Sequence, residues 1–381
     1  HWFIRTILLV ECRHWWWLWS RCPGIGAARM GDLEALGQAH EVSLAELWTW
    51  PEERLRKVLS WPTALFKDLS LHRSKWGTCP SFDVPEDVLL PVDLLWPEGF
   101  RALKRPPLAL FWQGRQELLG CLGARRAVAI VGTRRPSNHG LRVAEALGRA
   151  LALAGWPVIS GLAEGIDAAA HRGCLEGGGA PVGVLGTPLQ KVYPRQNEGL
   201  QALVAAQGLL VTEQPREILV KRGCFAARNR LLVALAKAVV VVECPERSGA
   251  LITARRAIEQ QCQLFVVPGD ARRWSALGSN ALLLDQASPL LSPEALVKQL
   301  GTGPLAVHSP SVAFDLSGSR SSSRTGQHGD TALLQAIGDG ASLEDLMTGL
   351  NLSSARLTEQ LLQLELQGVV VAEPGLHWRL T

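Results

Sequence analysis

Several signatures are missing from this chain, and each absence removes a class of function. No C-x-x-C pair occurs among the eight cysteines. Scattered thiols without that spacing argue against zinc or a dithiol redox centre and point to reduced side chains in a cytosolic protein. No apolar run reaches the ~20 residues that cross a bilayer: residues 2–10 and 15–19 are apolar, but Arg5, Glu11, Arg13 and His14 interrupt them. No small-residue cleavage site follows, so a signal peptide fits poorly. There is no G-x-x-x-x-G-K-[ST] loop, no G-x-S-x-G elbow and no His/Cys/carboxylate cluster with metal-ligand spacing, which excludes an ATP-hydrolysing P-loop, an α/β-hydrolase and an obvious metalloenzyme. A strong charge of one sign is also absent. The formal net charge is only +4 and the pI near 8.7, so local clustering decides whether nucleic acid is a partner.

What is present is apolar and long. The 381 residues are 47% hydrophobic and 19% charged, enough for two or three domains at ~100–200 residues each. Residues 1–12 begin with His1 rather than Met and are given no function. Residues 13–85 are tryptophan-rich and read as helical. There a Pro23–Gly24–Ile25–Gly26 turn joins two short helices, like a helix-hairpin-helix (SAM-like) module. Its N–H groups either hold a DNA phosphate or simply make a tight turn. Residues 86–300 read as the main α/β domain, and the Gly-, Pro- and Ser-rich residues 301–329 as a flexible linker. Residues 330–381 read as three helices and a hairpin, a winged helix, with Ser342 capping the second helix. Its third helix carries Glu359 and Glu365 beside Arg356, which favours protein contact over duplex reading.

The central region sets the fold class. Apolar runs at Ala127–Val131, Pro157–Ser160, Pro181–Leu185, Leu209–Thr212, Ala238–Val242 and Leu264–Val267 alternate with helical stretches. That alternation predicts an extended Rossmann-like, doubly wound parallel sheet. An extra strand over Leu108–Trp112 is expected at its edge.

In such sheets ligands bind beyond the carboxyl ends of the strands. The loops there are rich in Gly, Ser and cations: Gly132–Thr133–Arg134–Arg135, Ser160–Gly161, Lys191 to Arg195, Lys221 to Phe225, Arg247–Ser248–Gly249 and Gly269 to Arg273. Glycines let a backbone approach a ligand, so the edge is expected to hold an extended anion. A dinucleotide is disfavoured, because Arg134 and Ser137 stand where the G-x-G-x-x-G fingerprint needs glycine, and no ribose-binding carboxylate ends the second strand. A nucleic-acid backbone with a few bases remains. Arg134, Arg222, Arg228 and Arg230 are the phosphate candidates. Phe225, an aromatic within a basic run, is the candidate base platform. Asp167 and His171 lie four apart on one helix face. We read them as structural, Asp167 satisfying turn N–H groups and His171 bonding a neighbouring loop.

These residues resemble the DprA/Smf (DNA-processing protein A) family. The resemblance is carried by Gly132–Thr133–Arg134, Ser160–Gly161–Leu162–Ala163 with Gly165–Ile166–Asp167 and His171, Tyr193–Pro194 with Asn197, Phe225 with Arg228–Asn229–Arg230, Ser248–Gly249–Ala250 and Val267–Pro268–Gly269. Ala226 departs from the proline usual after the phenylalanine. The resemblance implies a cytoplasmic, non-enzymatic protein without cofactor or metal. Such a protein binds single-stranded DNA, protects it during natural transformation, loads a RecA-type recombinase and acts as a homodimer. By match, Arg134 is the main phosphate contact and Arg222 and Phe225 follow. Gly132, Thr133, Ser160, Gly161, Lys191, Arg195, Asn229, Ser248 and Gly249 complete the expected DNA-binding set. A nucleotide-processing enzyme using the same sheet edge for a nucleoside phosphate is the competing expectation; it needs a free carboxylate at the ribose, for which Glu164 and Glu213 are the candidates.

Overall fold

The apolar runs assemble into one sheet. The computed structural model describes residues 2–78 and 80–306, and beyond them residues 333, 336–337, 341–342, 345–347, 357, 360–361, 364–365, 370–373 and 377–380. The strands are β1 (Val88–Leu89), β2 (Leu110–Gly114), β3 (Val128–Val131), β4 (Val158–Ser160), β5 (Pro181–Leu185), β6 (Leu209–Thr212), β7 (Ala238–Val241), β8 (Gln263–Val266) and β9 (Ser288–Pro289). Their order across the sheet is β1-β2-β6-β5-β4-β3-β7-β8-β9. All neighbours from β6 to β9 are parallel, whereas β1 and β2 are antiparallel additions. The chain builds outward from β3 through β4, β5 and β6 and then returns to lay β7 on the other side of β3. The switch point of the topology therefore lies between β3 and β7.

Strand alternation explains why the runs are apolar throughout. Val128 and Ile130 enter one core and Ala129 and Val131 the other, as do Ala238 and Val240 against Val239 and Val241. Successive side chains point to opposite faces, and both faces are covered. The helices that follow are α6 (Glu98–Arg101), α7 (Leu118–Gly123), α8 (Asn138–Leu153), α9 (Ile166–Glu176), α10 (Glu198–Gln207), α11 (Arg222–Leu235), α12 (Gly249–Glu259), α13 (Leu277–Leu282) and α14 (Pro293–Leu300). One correction matters for function. The basic run Arg222–Phe225, expected in a loop, forms the first turn of α11 despite Gly223, since no proline interrupts the stretch back from Leu231.

Ahead of the sheet come α1 (Trp2–Ser20), α2 (Ala27–His40), α3 (Leu44–Thr49), α4 (Glu52–Val58) and α5 (Thr63–Trp76). The boundary expected after residue 12 falls inside α1, a single helix. Trp19, Leu33, Leu47, Trp48 and Phe66 form the centre of this helical region. Their core runs on into Val88, Leu90 and Ala109 of the sheet domain. The join is also polar: Trp16 Nε1 donates to the Leu108 carbonyl at 2.9 Å, and Arg13 pairs with Asp93. The boundary at 85/86 thus separates two element types that share one core.

The chain divides into two compact units, His1–His308 and Ser309–Thr381. Among the described residues of the second unit, Ala341–Ser342, Val370–Glu373 and His377–Leu380 form a three-stranded antiparallel sheet. It is covered by Leu346, Leu357 and Leu361. Ser342, expected as a helix cap, ends the first of these strands, and Asp345–Met347 is helical. Residues 307–332, most of the expected linker, lie outside the described residues. No helix among the described residues is long and apolar enough to cross a membrane.

Candidate nucleic-acid interface

A cleft of about 460 Å³ opens at the switch point, the place where open α/β sheets bind ligands. Its walls are the turn after β3 (Gly132, Thr133, Arg134, Arg135), the start of α11 (Arg222, Phe225) and the β7–α12 turn (Pro245, Arg247, Ser248, Gly249). Arg134, Arg135, Arg222 and Arg247 are all exposed. Asp167 is the one carboxylate among the lining residues, and it is buried.

The β3 turn is held from below. The Thr133 N–H donates to the Glu243 carbonyl at 2.7 Å, and the Ile166 N–H donates to the Thr133 carbonyl at 3.2 Å. Gly132 lies so close to Ile166 and Glu243 that any Cβ there would collide with both. The pinned turn projects Arg134 outward, where among the described residues no ion pair or hydrogen bond holds its guanidinium. The start of α11 has no side-chain cap from Lys221 and no acid in its first turn; such a terminus favours an anion.

The start of α8 is different, because it already holds one. The Glu243 carboxylate, 4% exposed, accepts from the Ser137 N–H at 3.2 Å and from its hydroxyl at 2.9 Å, and also takes the Ser275 hydroxyl. In dinucleotide-binding folds this helix terminus receives the pyrophosphate. Here the chain's own carboxylate fills it.

Several expected contacts have partners within the protein. Arg228 is 5% exposed and donates to the carbonyls of Gly161 (2.9 Å) and Val184 and to the Asn229 side chain (3.2 Å). Burial lowers it to about 10, with the Asp167 charge opposing that fall. Asp167 is pushed upward by burial, offset by Arg228 and by the N–H groups of Gly161 and Ala163. Arg230 donates from both terminal nitrogens to the Glu213 carboxylate (2.8 and 2.6 Å) and from Nε to the Arg105 carbonyl at 3.0 Å. Ser160 is wholly buried, its hydroxyl on the Ile130 carbonyl at 2.6 Å. Asn229, 9% exposed, donates to the Gly249 carbonyl at 3.3 Å and shapes the wall from behind. Lys191 and Arg195 are exposed but do not line the cleft. Asp167 accepts from the Gly161 N–H at 3.0 Å, as expected. His171, expected to bond a neighbouring loop, is instead fully buried with neither ring nitrogen hydrogen-bonded, and burial lowers it to about 3.

Other residues lie outside the expected DNA-binding set, although Tyr193, Arg135 and Arg247 stand in the stretches the sequence singles out. Tyr193 packs on Phe225, with ring centroids 4.8 Å apart at 44°. Together they border a recess that also touches Arg134, Gly161 and Glu164. Arg135, Arg247 and Trp274 line the cleft too. The signal for Trp274 was available: it follows Arg272–Arg273, an aromatic beside cations like Phe225. Glu243 carried no local signal, since its partners lie more than a hundred residues before it and some thirty after.

Comparison with known proteins gives a consistent result. The model of the DNA recombination-mediator protein A family matches residues 87–301. The chain is similar to Protein Smf of Synechocystis sp., 32% identical over 399 residues that cover 96% of this chain and 98% of that protein. It is also similar to the DNA processing protein DprA of Bacillus subtilis, 35% identical over 205 residues, 54% of this chain and 68% of that one. Among solved structures, DNA processing protein A from Streptococcus pneumoniae superimposes with a TM-score of 0.59 at 26% identity, over 71% of this chain and 92% of that chain.

Proposed function

This chain belongs to the DNA recombination-mediator protein A family, the DprA/Smf proteins, and on that premise we propose that the cleft at its switch point binds single-stranded DNA. One observation carries the reading: exposed Arg134, Arg135, Arg222 and Arg247 converge with the half-buried ring of Phe225 around an open cleft whose lining carboxylate is buried. Arginines and bare N–H groups track phosphates, while an aromatic face accepts a base of any identity. The competing reading, an enzyme acting on a nucleoside phosphate, loses its phosphate position and one of its two candidate carboxylates, leaving Glu164 at the recess beside Phe225. Glu243 occupies the helix terminus where the phosphate would sit, and Glu213 is held by Arg230.

Family membership supports the wider role. The bound strand is protected and handed to a RecA-type recombinase in natural transformation by a cytoplasmic homodimer that performs no catalysis. The helical region acts as a helix-hairpin-helix-like accessory, and the second unit as a winged helix for protein contact.

Fluorescence-anisotropy titration with single-stranded DNA, duplex DNA and mononucleotides at several salt concentrations tests the core of this reading. Single-strand binding is expected to be tight and salt-sensitive and duplex binding weak. Arg134→Ala removes one phosphate contact, so the slope of log K against log salt becomes shallower by about 0.7. Equal affinity for duplex, or turnover of a mononucleotide, refutes the proposal.

A further inference from the structure

Trp274 opens the 3₁₀ turn Trp274–Ala276 after β8, with its ring on the cleft wall. It is 67% exposed, and no other tryptophan among the described side chains is exposed. Most of the others are in the helical region, where their rings stack on one another or donate to carbonyls. Trp274 makes no ring or cation contact among the described residues. A large indole held open to water in a cation-lined concavity is costly for folding, which makes it informative about a ligand.

The turn that carries it is fixed on both sides. The Ser275 hydroxyl donates to Glu243, the carboxylate that also caps α8. Before it, the Arg272 and Arg273 N–H groups donate to Asp270 at 2.9 and 3.0 Å. Asn280 brackets Gly269 with bonds of 2.9 and 3.1 Å. The β3 turn, which projects Arg134, and the turn bearing Trp274 therefore hang on the same residue, Glu243, the first through its carbonyl and the second through its carboxylate. The backbone that carries the ring is fixed before any ligand arrives, which lowers the entropic cost of binding to it.

We propose that Trp274 is a second stacking platform of the cleft, taking a base of the strand at a position other than the one that meets Phe225. The assignment rests on the reading of the cleft as a single-strand site. The chemistry selects a nucleobase over an apolar peptide: Arg134, Arg135 and Arg247 share the cleft, and Arg272 and Arg273 immediately precede Trp274 in the chain, so the surroundings favour an aromatic ligand that carries phosphates.

The test is an abasic scan. The full chain is titrated with a short labelled thymidylate strand and with the same strand lacking one base at each position in turn. Trp274→Ala is expected to weaken binding to the intact strand about 5- to 150-fold with an unchanged salt slope, and Trp274→Phe to keep most of the affinity. In Trp274→Ala, one abasic position that hurts the unaltered protein becomes silent, and it differs from the position silenced by Phe225→Ala. If Arg134→Ala loses binding while Trp274→Ala keeps the unaltered abasic profile, the second platform is wrong and the cleft stands. If Arg134→Ala and Phe225→Ala both bind like the unaltered protein, the cleft itself is wrong. Thermal melts of each variant separate a lost contact from a lost fold, and the exposure of Trp274 predicts unchanged melting.

Discussion

Arg228 gives up nearly all its contact with water when α11 docks on the sheet. Its charge is compensated from within, by the Gly161 and Val184 carbonyls, the Asn229 amide oxygen and the nearby Asp167. Removing one partner from such a buried set leaves the rest unsatisfied. Arg228→Met should therefore cost about 3–5 kcal/mol, read as a lower denaturant midpoint, with Arg134→Ala as the control that leaves the midpoint in place. A normal midpoint for Arg228→Met would return that residue to the phosphate-contact role. Sequence alone does not separate the two arginines, because each stands in a basic, glycine-rich stretch. What distinguishes them is depth. Arg134 follows a glycine at a strand end and projects into solvent, whereas Arg228 lies one helical turn after Phe225 on the face of α11 turned to the sheet. The same blindness hid Glu243, whose role depends on partners brought together only by the crossing at β3 and β7.

Between elements, α8 and α9 approach closely. Gly148 abuts the Ala170 carbonyl, and Gly173 abuts the backbone of Glu145, so that a Cβ at either glycine would strike main chain rather than a mobile side chain. Gly173→Ala gains up to about 1 kcal/mol of helix propensity. It also forces the two backbones apart, and overpacking of this kind costs about 1–3 kcal/mol. A net loss of stability is expected, seen as a lower melting temperature. Gly199→Ala on α10, where a Cβ meets nothing within 4 Å, should be neutral or stabilising; equal effects at the two sites would mean that the α8–α9 contact tolerates separation. Elements of this kind were largely legible beforehand. An apolar run covered on both faces has no other use in a chain of this composition, and β3 to β8 each fall within a residue or so of the expected strands. The start of α11 was not legible, because Gly223 and the cations around it look like a loop until the helix is seen to dock.

At the scale of the molecule, charge is divided unevenly. Residues 309–381 carry four arginines against eight Asp and Glu. The second unit is thus net acidic, and the first holds more positive charge than the whole-chain value of +4 suggests. The cleft is lined entirely by residues of the first unit, and its core clusters are contained there. An acidic unit repels a polyanion rather than holding it. A chain ending at His308 should therefore bind a single strand with the same salt slope as the full chain and with equal or tighter affinity. Anisotropy titrations of the two chains against one oligonucleotide decide this. Weaker binding together with a shallower slope would mean that the second unit supplies phosphate contacts of its own and is a DNA-reading domain. Equal or tighter binding leaves it free for a protein partner, consistent with the acidic residues Glu359 and Glu365 beside Arg356.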